Sequence, residues 1–125
     1  MIIDASALLA LLQGEVGANQ VLDALAQGAI CAANLSEAVG KFIQHGVPIS
    51  EITSVLSSLD LEIVPVDEDI ALLAGSLITQ GQPLGLSLGD RLCLATGIAH
   101  SKAVLTADKV WQEFQHPDVR VQLIR

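Results

Sequence analysis

The sequence predicts an α/β fold: a three-layer α/β/α domain with a central parallel sheet of about five strands. Three observations carry this. Short apolar runs alternate with segments of helical period along the chain, as parallel strands joined by crossover helices do. The run Ala103-Val104-Leu105-Thr106 is short and apolar, the pattern of an interior strand covered on both faces. No linker, internal repeat or low-complexity tract interrupts the alternation, so residues 1–125 read as one domain, long enough to bury a core.

Taken in order, Met1 to Asp4 is a minimal strand ending on a carboxylate, and Ala5 to Leu12 continues as an apolar helix. Gln13 to Gly17 breaks it, and Asn19 to Gln27 forms a second helix with Val21, Leu22 and Leu25 inward. Ala29 to Ala33 is the next strand. It passes into Asn34-Leu35-Ser36-Glu37, a cap-like start, and a helix with Leu35, Val39 and Phe42 on one face. Gly46 and Pro48 stop that helix, and Pro48 to Leu59 forms another. Glu62 to Val66 is a strand, and Asp67 starts a helix running to about Thr79. Gly81 to Gly85 is a loop. Ser87 followed three residues later by Asp90 marks a helix start, after which Leu88, Leu92, Ala95 and Ala99 recur at helical spacing. The strand ending at Thr106 leads to Asp108, a short helix with Trp111 and Phe114, and a last strand, Val119 to Ile124.

Hydrophobic residues make up 51% of the chain but aromatics only 2%, so the core is built from Leu, Ile, Val and Ala. No apolar run reaches the length of a membrane-spanning helix. The opening Met1-Ile2-Ile3-Asp4 lacks the basic flank of a signal peptide, so the chain reads as cytoplasmic. Cys31 and Cys93 belong to no metal-ligand or redox pair and read as buried, reduced thiols. His45 and His100 fall near helix ends and His116 stands apart, which disfavours zinc. A net charge of −8 argues against broad electrostatic binding of nucleic acid. A polyanionic substrate would need a metal, a local basic patch, or both.

Four acids fall just past strand ends or at the helix starts that follow: Asp4, Glu37, Asp90 and Asp108. Each has an ordinary explanation. Asp4 and Asp108 could cap helices, and Glu37 and Asp90 could complete capping boxes with Asn34 and Ser87. As a set they are harder to dismiss, because parallel strands put their carboxyl ends on one rim, where ligands bind in open α/β sheets. Two carboxylates about 5 Å apart repel by about 3 kcal/mol at an effective dielectric near 20. A divalent cation offsets that, and hard oxygen donors favour Mg²⁺ or Mn²⁺. Asp67, Glu68 and Asp69 read instead as a helix cap with an acidic first turn. Lys41, Arg91 and Lys109 neighbour the acids in sequence. They are either surface charges, Lys41 pairing with Glu37 across one helical turn, or phosphate contacts beside the crevice.

These residues resemble the PIN-domain ribonucleases, and among them the VapC-type toxins of type II toxin–antitoxin pairs. Ile2-Ile3-Asp4-Ala5-Ser6-Ala7 is similar to the family's opening strand and first acid. Asn34-Leu35-Ser36-Glu37-Ala38-Val39 resembles the second motif, and Leu86-Ser87-Leu88-Gly89-Asp90-Arg91 the third and most specific. Val104-Leu105-Thr106-Ala107-Asp108 with Trp111 resembles the fourth, and Val121 to Arg125 the closing strand. The resemblance implies a PIN-like fold, RNA cleavage dependent on Mg²⁺ or Mn²⁺, a cognate VapB-like antitoxin and commonly a homodimer. By position, Asp4, Glu37, Asp90 and Asp108 would be the metal-binding and catalytic residues, with Ser6 and Thr106 supporting them.

The expected activity is therefore hydrolysis of RNA phosphodiester bonds by a metal-activated water. The alternative is a catalytically silent PIN-like module that contacts RNA or a protein partner. A phosphatase of the haloacid-dehalogenase type is disfavoured, since no second acid stands two residues after Asp4. The apolar surplus, including the first helix Ala5 to Leu12, predicts a homodimer. Light scattering at tens of micromolar should return twice the chain mass, and a monomer would contradict the expectation.

Overall fold

In the computed structural model, which describes residues 1–124, five short strands pair in the order β3-β2-β1-β4-β5, and every pair is parallel. They are β1 (Ile2–Ile3), β2 (Ala29–Cys31), β3 (Glu62–Val64), β4 (Val104–Thr106) and β5 (Val121–Leu123). Arg125, which the sequence assigns to the closing strand, lies outside the described residues. Side chains alternate across the sheet. Ile2, Ala29, Cys31 and Val104 enter one core, while Ile3, Ile30 and Leu105 enter the other. Both faces are covered, which is why the central strands carry no polar face. This is the expected α/β/α sandwich.

The first three strands step outward in one direction from β1; the chain then crosses back to place β4 on β1's other side. The order therefore reverses between β1 and β4. The segments leaving these two strands diverge onto opposite faces: α1 (Ala5–Leu12) packs in the second core, whereas Trp111, beyond β4, belongs to the first. A crevice opens at such a switch point.

The first helix matches its expected bounds, yet its apolar surface is covered by its own chain. Ala5, Ala7, Leu8 and Ala10 are buried, and Leu9, Leu11 and Leu12 pack half-buried against the same core. It supplies no exposed surplus. The exposed apolar side chains are elsewhere, among them Val16, Ile49, Leu72 and Leu88. In α2 (Ala18–Ala24), continued by a 3-10 turn at Leu25–Gln27, Val21 and Leu25 point inward as expected. Leu22 does not and is 55% exposed.

The larger departure concerns α3 (Ala32–Gln44). It begins directly after β2, with Cys31 at the N-cap, so Asn34 sits within the first turn instead of capping it. Its inner stripe is Asn34, Ala38 and Phe42, at a spacing of four residues, while Leu35 and Val39 are only half-buried. Gly46, in the left-handed region at φ +85°, and Pro48 end it before α4 (Ile49–Ser58). Asp67 caps α5 (Glu68–Ser76), its Oδ1 accepting from the Ile70 N–H at 2.9 Å. That helix breaks at Leu77 into the short α6 (Ile78–Gly81), and a 3-10 turn at Gln82–Leu84 occupies the expected loop.

The longest buried stretch lies in α7 (Leu88–Ala99), where Leu92 to Gly97 are buried without interruption. Its ends are not: Leu88 is 58% exposed and Ala99 is also exposed. The expected stripe is replaced by burial all round the middle turns, because α7 packs at once on the sheet, α3 and α5. Cys31 and Cys93 are free, buried thiols, and His45 and His100 take helix C-cap positions. Among the described residues no helix is long and apolar enough to cross a membrane.

Trp111 lies in a 3-10 helix, Lys109–Glu113, and is fully buried beside Phe114. In a core with so few aromatic rings, its loss leaves a void that small neighbours cannot fill. Trp111→Ala should cost about 3–5 kcal/mol of unfolding free energy, read from urea unfolding followed by circular dichroism.

Candidate functional site

Asp4 follows β1 at the switch point. It occupies the N-cap position of α1, but its side chain makes no cap hydrogen bond. The carboxylate turns instead toward the end of β4. Its Oδ2 accepts from Ser6 Oγ at 2.6 Å and from Thr106 Oγ1 at 2.9 Å. Both hydroxyl protons are thereby used, so each oxygen is free to accept. Ser6 Oγ takes the Ala107 N–H at 3.0 Å and Thr106 Oγ1 the Asp108 N–H at 3.1 Å. This knot fastens the exit of β1 to the exit of β4. Ser6 and Thr106 therefore hold the Asp4 carboxylate in place.

The Asp4 side chain is buried, and burial raises its pKa to about 6. The hydrogen bonds from Ser6 and Thr106 oppose the rise, and the nearby Asp90 charge adds a smaller push upward. Desolvation, more than repulsion among the acids, is the main cause.

The other three acids reach the same place from separate elements. Glu37 projects from α3, with Oε1 accepting from Asn34 Nδ2 at 2.9 Å. Asp90 stands in the first turn of α7, where Ser87 and Asp90 form the expected capping box. Its Oδ2 accepts from the Ser87 N–H at 2.9 Å, and its own N–H donates to Ser87 Oγ at 3.1 Å. Asp108 caps the following 3-10 helix, with Oδ1 accepting from the Val110 N–H at 3.1 Å. The capping roles of Asp90 and Asp108 are thus real. All four acids nevertheless line one cleft of about 170 Å³, with Ala5, Ser6, Leu9 and Lys41 completing its wall.

Two of the alternatives that the sequence leaves open are not what the geometry shows. The proposed Asn34–Glu37 capping box is absent, because α3 has already begun when the chain reaches Asn34. Arg91 does not line the cleft: its Nη1 donates to the Ala74 carbonyl at 2.9 Å, tying α7 to α5. Lys109 is exposed on the 3-10 helix and also lies outside the lining, so Lys41 is the only one of the three candidate cations found there. Among the described residues no three Asp, Glu, His or Cys side chains are already gathered closely enough to hold a metal ion. The sequence reading also missed Asn34 as a buried member of the site. A second amide proton reaches the Gly89 carbonyl at 3.0 Å. The one available signal was a polar residue at an inward helical position, four before Ala38.

The PIN domain family profile matches residues 1–117. Among solved structures, a toxin–antitoxin complex from Klebsiella pneumoniae contains a chain 25% identical, with a TM-score of 0.71, covering 95% of this chain and 94% of that one. VapBC2 from Rickettsia felis, bound to a DNA fragment from its promoter, matches at 18% identity and TM-score 0.74 over 98% of this chain and 96% of that one. DNA-bound VapBC from Salmonella typhimurium matches at 15% identity and TM-score 0.75, covering 99% and 97%. No curated protein matches the chain.

The Asp4 geometry has a thermodynamic consequence. A carboxyl whose folded pKa lies above its unfolded value favours folding when protonated. That contribution is full below about pH 3.8 and is lost as the pH rises through about 6. Asp4→Asn keeps an acceptor for both hydroxyls and removes the buried charge. It should raise metal-free stability near pH 7 by about 2–3 kcal/mol and flatten the dependence between pH 4 and 6. Urea unfolding across that range measures both effects.

Proposed function

The chain belongs to the PIN-domain family, and on that premise we propose that it is a divalent-metal-dependent endoribonuclease, the toxin of a VapBC-type pair. The observation that carries the reading is the convergence of Asp4, Glu37, Asp90 and Asp108 on one cleft from four separate parts of the chain. Capping explains Asp90 and Asp108 one at a time but gives no reason for four carboxylates to share one cleft, where their mutual repulsion is a cost unless a cation offsets it.

The donor chemistry fits Mg²⁺ or Mn²⁺. The lining offers carboxylate and hydroxyl oxygens and neither imidazole nor thiolate, which suits hard cations over zinc. Asp4, Glu37, Asp90 and Asp108 would hold the ion, directly or through waters it retains. Bound there, the cation would offset negative charge on a phosphodiester and acidify a water for attack.

The chain's own residues do the rest. Ser6 and Thr106 keep the Asp4 carboxylate in one rotamer, so it need not reorganise when a cation arrives. Asp90 uses Oδ2 in its cap and Asp108 uses Oδ1, leaving one oxygen of each for the cleft. Lys41 would contact a phosphate oxygen of the strand, and Ala5 and Leu9 would form an apolar wall beside it. With a net charge of −8, the protein would attract RNA only locally, through this cation-loaded cleft. The relatives from Klebsiella pneumoniae, Rickettsia felis and Salmonella typhimurium are parts of toxin–antitoxin complexes. By analogy, a VapB-like antitoxin would be the partner that covers the cleft in the cytoplasm. One observation favours a catalytically silent module that binds RNA or protein: no ready-made group of three metal-holding side chains exists among the described residues.

A single variant separates the two readings. Asp90→Asn preserves a cap acceptor, so its metal-free stability should change by about 1 kcal/mol or less. Its cleavage of total RNA in Mg²⁺ or Mn²⁺ should fall below detection. Mg²⁺ should raise the melting temperature of the parent by mass action and do much less for the variant. A parent that leaves RNA intact with either metal, or a fully active Asp90→Asn protein, would overturn the proposed mechanism.

A further inference from the structure

The position of Glu37 depends on two residues that have no charge to offer. We infer that Asn34 and Gly89 are positioning residues: together they seat the Glu37 carboxylate on the first turn of α7, beside Asp90. The inference rests on the metal-dependent reading above and specifies how one of its acids is held.

Gly89 supplies the space. Its backbone has no left-handed φ, so no conformational demand calls for glycine, and alanine would favour the helix. What excludes a side chain is Glu37. A Cβ on Gly89 would lie 2.6 Å from the Glu37 Cδ and 2.9 Å from Oε2, and closer still to Oε1. Nothing else is among the nearest atoms. The bare helix surface at this point is the seat of a carboxylate.

Asn34 supplies the grip. Both amide protons are committed, one to Glu37 Oε1 at 2.9 Å and one to the Gly89 carbonyl at 3.0 Å. Both neighbours are acceptors, so the amide nitrogen must face them. The side chain is fully buried, and its Oδ1 has no hydrogen-bond partner. An orphaned buried acceptor is costly. It is tolerated here as the consequence of placing both donors on one junction. Glu37 is thereby tied to the main chain one residue before Asp90, and α3 and α7 cannot slide without separating the two acids. The amino-terminal end of α7 also favours negative charge.

The test exploits the fact that the atoms in conflict belong to the free end of a side chain. Gly89→Ala should fold normally, with a metal-free melting temperature equal to or above the parent's, because Glu37 alone must move. Mn²⁺ affinity, measured by isothermal titration calorimetry, should weaken about tenfold, and RNA cleavage should fall ten- to a hundredfold. Gly75→Ala, in α5 where a Cβ meets nothing within 4 Å, controls for helix propensity and should leave Mn²⁺ affinity and cleavage unchanged. Glu37→Asp, one methylene shorter, should damage the parent but cost much less in the Gly89→Ala background, a non-additive pair. A Gly89→Ala protein with parental Mn²⁺ affinity and cleavage, or strictly additive effects with Glu37→Asp, would overturn the inference while leaving the nuclease reading intact. So would a Gly89→Ala chain that cannot fold, since the conflict would then lie in the core. A parent that neither binds Mn²⁺ nor cuts RNA would remove the nuclease reading, and the inference with it.

Discussion

A carboxylate buried between two strand exits organises this protein. Asp4 could not remain there ionised at neutral pH without compensation, and Ser6 and Thr106 provide it with two donated hydroxyl protons. The same hydroxyls accept the backbone N–H groups of Ala107 and Asp108, so the local chain paths after β1 and β4 are fixed by one network. Because the strand order reverses at this point, the segments beyond the knot part to opposite faces of the sheet. The cleft between them follows from the topology. The charge inside it follows from which residues end the strands.

Capping and site formation are compatible duties for one residue. A carboxylate has two oxygens, and a cap engages one. Asp90 and Asp108 each spend an oxygen on a local N–H and thereby hold their side chains in place at the rim. Glu37 gains the same fixity from Asn34 and from the bare surface of Gly89. The negative charges are thus distributed over separate local anchors instead of being gathered into one close cluster, and Lys41 adds a positive charge to the wall of the same cleft. The cost is plainest at Asp4, the most deeply buried of the four, where desolvation raises the carboxyl pKa to about 6.

The helix carrying Asp90 is also the structural hub. α7 is buried through its middle turns and packs on the sheet, α3 and α5. Arg91 contributes to this by bonding the Ala74 carbonyl, and it is not among the residues that line the cleft. Neighbouring residues on one helical turn therefore serve opposite ends: Asp90 lines the cleft, and Arg91 ties the helix to its neighbour. Adjacent helical positions point about 100° apart, so sequence adjacency to an acid says little about where a base ends up.

What the sequence alone determined was whatever local chemistry and periodicity dictate. The α/β/α class, five strands, the bounds of α1 and α7, the Ser87–Asp90 capping box and the Asp67 cap were all legible, because turn chemistry, helix caps and apolar spacing act within a few residues. That Asp4, Glu37, Asp90 and Asp108 would share one cleft was legible because parallel strands put their ends on one rim. Tertiary structure decided the rest. Asn34 has the composition of a cap, and only the approach of α7, 55 residues away, makes it a buried clamp. Leu22 and Leu88 obey helical spacing yet stay exposed because no neighbour covers them. Lys41 reaches the cleft while Arg91 and Lys109 do not, a distinction that depends on which surfaces meet across the fold. A pattern along the chain states what a side chain can do; the packing of distant segments selects the partner it does it with.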